Sequence, residues 1–305
     1  RNQRYKYFKL KKRSGGYRII SAPHRDLKYI QKWIYFNILS KYKISESCKG
    51  FISGLSIKDN AKVHEGASKI LKVDLLKFFD TISEERVFGI FAKMGYAKNL
   101  SVTLARLCCC THNKEYWEEY SETDREILSE LFENRPDVLP QGAPSSPMIA
   151  NIVAKRMDER FEKLSIVLGF SYSRYADDLT FSIKGEAKLP SLFLIKKIIK
   201  EEGFFINPKK VKYIAKGKRQ LVTGLSISNG IHVTKRYRKS IMRHIHFCRK
   251  YGVEDHLKRQ KTFLNNYNVM SFHDWLYGSI CFVKSVDDEY SEKLLIEFNK
   301  IDWIL

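Results

Sequence analysis

Ser171 to Ser182, SYSRYADDLTFS, is the stretch whose reading decides this chain. It reads as two short strands joined by a tight turn, with Ala176-Asp177 at the bend. The flanking residues are β-branched, aromatic or small, as strands prefer. Taken alone, an Asp-Asp turn is also what a solvated surface hairpin carries. Near a core, two adjacent carboxylates repel each other and lose hydration. A divalent cation relieves both costs, and Mg²⁺ suits oxygen ligands and substrate phosphates. A second stretch makes that reading the stronger one. Ile70 to Phe79, ILKVDLLKFF, is an apolar run with Asp74 inside it. Such a run reads as a buried strand, where a carboxylate is costly unless paired or metal-bound. If the two stretches are neighbours, Asp74, Asp177 and Asp178 converge. That is a ligand set for two metal ions clamping the attacking and leaving oxygens of a phosphoryl displacement.

The YADD hairpin and the Asp74-Leu-Leu-Lys-Phe-Phe strand resemble the palm of a reverse transcriptase. Leu139 to Ala150, LPQGAPSSPMIA, lies between them and extends the resemblance. Its Gly142 permits close backbone approach, and Pro147 suits the first turn of a helix running to about Phe161. The resemblance implies that Gln141 and Gly142 touch the sugar or template base. It implies that the backbone carbonyl of Leu75 joins the metal ligands. Phe79 would block a ribose 2′-OH, although a ring packed beside Phe78 in the core is the plainer reading. Lys210, with Lys209 as its neighbour, would lie near the leaving pyrophosphate. Upstream, GGYRIISAPHRDLKYIQKWI resembles the fingers of bacterial reverse transcriptases. There Arg18 would contact the nucleotide's phosphates, assisted by Lys11 or Lys12. Asp80 is expected to be solvated or to cap the next helix.

Two further motifs narrow the resemblance. Asn60-Ala-Lys-Val-His64 before the Asp74 strand, and Val222-Thr223-Gly224 within an alternating strand from Gln220 to Ser228, are similar to signatures of retron reverse transcriptases. A lone His is otherwise more often structural than catalytic. The resemblance covers Gly15 to Ile301. It implies an α+β right-hand fold with fingers, an antiparallel palm sheet with helices, and a mainly helical thumb. It implies RNA-templated DNA synthesis from deoxynucleoside triphosphates with two Mg²⁺ ions. It further implies a structured noncoding RNA as partner and a branched RNA-linked DNA product (msDNA) primed from a guanosine 2′-OH. An effector protein and an antiphage role complete the picture.

Composition points the same way. The 305 residues carry a net charge of +21, which favours a polyanionic partner. Residues 1–32 hold eleven Lys or Arg against Asp26 alone. Ser14-Gly15-Gly16 marks a turn between two short basic strands there. From Asp26 to Leu39, the apolar residues Leu27, Ile30, Trp33, Ile34 and Ile38 share a face and read as core packing. Residues 205–263 hold sixteen Lys or Arg against two acids. Within them, Lys235, Arg236, Tyr237, Arg238, Lys239 and Arg243 open a helix expected to recognise structured RNA. Trp275, Phe282, Leu294 and Phe298 read as thumb core. Thr111 to Val138 departs from the rest, with nine acids and three basic residues. It reads as an insertion with one amphipathic helix, Glu122 to Glu133, facing away from nucleic acid, either solvated or docking a partner protein.

The six cysteines form no CxxC pair, so neither a zinc site nor a disulfide framework is signalled. No apolar run approaches the roughly 20 residues that span a bilayer, and no signal-peptide pattern is present. A bacterial cytoplasmic location follows as the expectation. The expected domains are fingers with part of the palm at 1–72, palm at 73–228 with the insertion 111–138, and an RNA-binding thumb at 229–305. Three alternatives remain: a group-II-intron-like or phage-exclusion reverse transcriptase, a non-catalytic nucleic-acid-binding scaffold, and an RNA-dependent RNA polymerase. The two retron motifs disfavour the first, the intact carboxylates the second and Phe79 the third.

Overall fold

Period-two alternation turns the two quoted stretches into neighbouring strands. The computed structural model describes residues 4–11, 15–185, 187–260 and 263–303; Lys12 and Ser14 of the basic hairpin lie outside the described residues. The chain divides into two units, 1–63 with 67–215, and 64–66 with 216–305.

The first unit opens with an antiparallel hairpin, β1 (Tyr5–Lys11) and β2 (Tyr17–Pro23). Helices α1 (Arg25–Asn37) and α2 (Ile57–Lys62) lead to β3 (Lys69–Asp74). Then follow α3 (Glu84–Lys93) and α4 (Lys98–Cys108), and three short helices, α5 (Lys114–Glu118), α6 (Glu122–Ile127) and α7 (Ser129–Asn134). The long α8 (Ser146–Leu168) precedes β4 (Ser171–Tyr175), β5 (Asp178–Ile183), α9 (Leu192–Glu201) and β6 (Lys212–Ala215). The sheet order is β4-β5-β3-β6, antiparallel throughout. Leu71, Val73 and Leu75 from β3 and its end, with Leu179, Phe181 and Ile183 from β5, enter one core with Ile149, Met157 and Phe161 of α8. Alternate residues point to opposite faces of a strand, so Lys72, Asp74, Asp178 and Thr180 take the other side.

Several expectations change here. Helix α8 continues to Leu168, beyond Phe161, and stops where Gly169 adopts the left-handed conformation, the usual helix-ending device. In α1, Leu27 and Ile34 are buried, but Ile30 and Trp33 are exposed. The single helix expected over Glu122 to Glu133 breaks into α6 and α7 at the buried Leu128. Nor is the insertion a solvated excursion. Its Trp117, Tyr120, Leu128 and Val138 form a second core with Leu76, against which Phe205 packs.

The second unit holds a small antiparallel sheet, β7 (Leu221–Val222), β8 (Leu225–Ser226) and β9 (His232–Val233). Helices α10 (Lys235–Tyr251), α11 (Val253–Lys258), α12 (Val269–Lys284) and α13 (Asp288–Phe298) follow. Gln220 to Ser228 is thus a hairpin rather than one strand. Thr223 and Gly224 both have positive φ, as a two-residue turn matching strand twist requires. Leu294 and Phe298 are buried as expected, whereas Phe282 is partly exposed. Among the described residues no helix is long and apolar enough to cross a membrane.

Candidate active site

Register brings the carboxylates together. Asp74 lies directly opposite Asp178 in the β3–β5 ladder, with Lys72 opposite Thr180. Directly opposed residues have Cβ atoms about 5 Å apart. Asp177 sits at the turn, and its carbonyl accepts a hydrogen bond from the Leu75 N–H at 2.9 Å. The side chain of Leu75 is buried in the core. The three acids that are distant along the chain therefore meet at one sheet end.

Their electrostatics register the crowding. Burial, then the charges of Asp74 and Asp178, push the Asp177 carboxyl up to about 6. Burial also raises Asp74, opposed by its hydrogen bonds from Lys210. Lys210 Nζ donates to both Asp74 oxygens, at 2.8 and 2.9 Å. Burial works downward on this ammonium, but Asp74 outweighs it and the pKa is raised. The placement of Lys210 is itself templated. The Asn207 N–H donates to the Asp74 carbonyl at 2.8 Å, and a 3₁₀ turn, Pro208–Lys210, follows at once. Lys209 is exposed. Lys72 lies 3.9 Å from Asp178.

The turn is held from behind by residues that the sequence did not single out. Ala176 has φ +57°, a costly conformation for a residue with a Cβ. Arg174, fully buried, donates to the Ala176 carbonyl at 3.0 Å and to Asn151 Oδ1 at 3.0 Å. Its guanidinium also pairs bidentately with Asp158, at 2.9 and 2.7 Å. Burial opposes the charge on Arg174, but Asp158 more than restores it and the pKa is raised. Asn151 Nδ2 donates to the Gly50 carbonyl at 2.9 Å. A Cβ at Gly50 would come within 2.6 Å of the Ala176 nitrogen, so glycine is needed for this approach. The signal that was available is an Arg and an Asp at core positions of a strand and a helix. Asn60 belongs to the same support, because its Oδ1 accepts from Ser173 Oγ at 2.7 Å. His64 is fully buried and falls in the second unit.

The remaining positions are distributed as follows. Phe79 is half-buried, with its ring centroid 5.6 Å from Phe78 and 6.5 Å from Phe51. Arg18 is exposed on β2 opposite Leu10. The Gln141 carbonyl accepts from the Ser21 N–H at 2.8 Å. Gly142 has φ +126°, and a Cβ there would meet Ile20 at 2.8 Å. Its glycine is therefore required by the contact with β2. Asp80, expected to be solvated or to cap the next helix, does neither: it is buried and accepts from the hydroxyls of Tyr116 and Tyr120, and Ser83 caps α3. In the second unit, Lys235, Arg236, Lys239 and Arg243 are exposed and line one open surface cleft along α10. Arg238 turns instead to Asp287 and over the Tyr290 ring, and Tyr237 meets Phe282 edge-on. Val222 is buried and Thr223-Gly224 form the β7–β8 turn.

Residues 10–268 match the family model described as reverse transcriptase (RNA-dependent DNA polymerase). The retron Ec86 reverse transcriptase of Escherichia coli is 32% identical over 306 residues, covering 98% of this chain and 82% of that one. The chain belongs to the retron reverse transcriptases. The retron Mx162 reverse transcriptase of Myxococcus xanthus is 35% identical over 243 residues, covering 73% of this chain. The chain spans about half, 47%, of that relative's length. Among solved structures, telomerase from Candida albicans with a telomeric RNA fragment aligns at TM-score 0.47 and 12% identity, over 98% of this chain and 62% of that one.

Members of this family generally work with divalent metal ions, and the donor set fits one. Carboxylate oxygens are the ligands that hard cations take. Carboxyls that burial and neighbouring charges push up, as at Asp74 and Asp177, are stabilised in their charged form by an added positive charge. Among the described residues, however, no three acidic, His or Cys side chains are gathered into a finished cage. The Lys210 ammonium occupies the positive position beside Asp74.

Proposed function

We propose that this chain is the RNA-directed DNA polymerase of a retron and copies a structured noncoding RNA into DNA. The observation that carries the proposal is the opposition of Asp74 and Asp178 beside Asp177 at the end of β3 and β5, in a chain of this family. Asp74, Asp177 and Asp178, with the carbonyl of Leu75, would hold two Mg²⁺ ions. Bound there, such ions supply Lewis-acid activation of an attacking hydroxyl and neutralise the leaving pyrophosphate. Lys210 then exchanges Asp74 for the pyrophosphate, to which it offers a proton or a charge. Arg18 takes the triphosphate of the incoming deoxynucleotide. Phe79 closes the space a 2′-OH would need, and the Gln141–Gly142 loop supports the template base. Fingers, palm and thumb are assigned to 1–72, 73–228 and 229–305.

Lys235, Arg236, Lys239 and Arg243 form a phosphate-binding patch for the structured RNA, with Tyr237 and Arg238 bracing the helix beneath it. The product in this reading is msDNA, started at a guanosine 2′-OH and branched to its RNA. An effector protein shares the complex, which serves antiphage defence in the bacterial cytoplasm. Sequencing the nucleic acid that co-purifies from the native host tests this. The expected result is a covalently branched RNA–DNA hybrid that disappears in Asp177→Ala. Ordinary linear RNA in both proteins would overturn it. Phe79→Ala is expected to raise ribonucleotide incorporation, and unchanged selectivity would remove the gate assignment.

A further inference from the structure

Helix α1 is amphipathic in an unusual sense. Its inner face is closed, with Leu27, Gln31 and Ile34 buried. Gln31 is tied down by donating to the Tyr5 hydroxyl at 2.9 Å and the Leu107 carbonyl at 2.8 Å. Its outer face is aromatic rather than merely polar. Tyr29 is 74% exposed, Trp33 52% and Phe36 64%. Arg25, Lys28 and Lys32, all exposed, are interleaved with them. At 100° per residue these six positions fall within an arc of about 140°. Among the described residues none of the three cations is ion-paired. Three rings follow one another at roughly one per turn, about 5 Å apart along the axis.

Large aromatics left in water on a helix whose core face is already satisfied mark an interaction surface. The cations decide which kind. Two copies of this chain meeting through α1 would oppose three cations to three, a repulsive arrangement. A strand with charged phosphates and unpaired, planar bases matches both features, because every base has a stacking face and every linkage a negative charge. The fold adds direction. Strand β2, which leads into α1, touches the Gln141–Gly142 loop through the Ser21 N–H and Ile20. Helix α1 begins four residues after Ser21.

We infer that the outer face of α1 is a stacking platform for unpaired template RNA on its way to the Gln141–Gly142 loop. The inference rests on the reading of that loop as the template position. Under it, the strand still unpaired at the loop is RNA, since the DNA product leaves as duplex. Tyr29, Trp33 and Phe36 stack bases, and Arg25, Lys28 and Lys32 follow the backbone.

The test compares wild type with Tyr29→Ala/Trp33→Ala, which keeps every charge and places good helix formers at exposed positions. Fluorescence anisotropy gives the affinity for a DNA-primed RNA template, either blunt or with an unpaired RNA overhang of about 12 nucleotides, within the site sizes of such platforms. The wild type is expected to bind the overhang form about tenfold more tightly. In the variant that gain is lost and blunt-duplex affinity stays within about twofold. A gain that survives in the variant, or a wild type with no gain, overturns the inference. So does sedimentation showing that the wild type self-associates through α1 and the variant does not. Failure of the parent reading shows separately, as a wild type that does not extend the primed template. An unprimed oligouridylate then still tests the platform, with the same tenfold difference expected.

Discussion

The β3–β5 sheet end and the acidic insertion are both rich in carboxylates, and they use them in opposite ways. At the sheet end, Asp74 opposes Asp178 beside the turn residue Asp177, and burial, with the neighbouring charges, raises Asp74 and Asp177. The crowding is offset at Asp74 by the Lys210 ammonium. In the insertion, the acids Glu115, Glu118, Glu119 and Glu122 stay at the surface. One of them, Glu119, pairs with Lys9 of β1. The insertion's interior is aromatic, and the carboxylate buried in it, Asp80, comes from the segment after β3. There it accepts from Tyr116 and Tyr120 while Lys77 Nζ lies 3.6 Å from the Tyr120 ring centre. Burial and the Asp80 charge push both tyrosine hydroxyls well above their ordinary range, so they remain donors. Asp80 is satisfied by hydroxyl donors inside a core, whereas Asp74 is satisfied by a lysine and lies opposite another acid.

The largest effect separating the two regions should come from Asp74→Asn. RNA-templated primer extension is expected to fall by about 10³-fold or more. The melting temperature should be unchanged or higher, since a neutral amide relieves the crowding. A large loss of stability would mean that Asp74 is a structural partner of Lys210 first. In the insertion the order reverses. Trp117→Ala removes a buried ring from the second core and should cost about 3–5 kcal/mol, read from denaturant unfolding. A cost near zero would return the insertion to a loosely attached excursion. Deleting Lys114 to Asp137 should for the same reason destabilise the Asp74 segment through Leu76 and Asp80.

One contribution to the pH dependence of stability lies in the insertion; His244 of the second unit, also lowered to about 4 by burial, adds another of the same sign, and the raised Asp177 one of opposite sign. His112 stacks on Tyr116 at 3.6 Å between ring centres. Burial lowers its pKa to about 4, against the opposing pull of Asp80. The unfolded chain takes up a proton near 6.5 and the native one does not. The His112 contribution is therefore complete above that value and lost as pH falls from about 6.5 towards 4, by on the order of 2 kcal/mol. Unfolding curves at pH 7 and 4.5 in the wild type and in His112→Gln measure this, and the loss between the two pH values should be smaller in the variant by about that amount. The smallest effect expected is that of Tyr120→Phe. It removes one donor to Asp80 and should cost about 1–3 kcal/mol, with synthesis retained in the folded protein.

The carboxylates were legible in the sequence because each breaks a local rule: a charge inside an apolar run, or two at a strand turn. Their convergence then followed from strand pairing. Lys210 was legible only by resemblance, since its place depends on Asn207 reaching the Asp74 carbonyl. Arg174, Asp158 and Asn151 were missed because a buried ion pair looks, in one dimension, like two unrelated charges. The insertion's net charge describes its surface and not its aromatic interior. Trp33 was misplaced for a related reason. Periodicity tells which residues share a helix face, not whether that face finds a partner.

The central claim is that Asp74, Asp177 and Asp178 together hold divalent cations. The most direct measurement is the shift in melting temperature on adding Mn²⁺ or Mg²⁺ at neutral pH, for the wild type and for Asp177→Ala. The wild type should be stabilised in a concentration-dependent way, because a bound ligand stabilises the native state, and Asp177→Ala should lose most of that shift. Equal shifts in the two proteins, or none in the wild type even with a primed RNA template present, would contradict it.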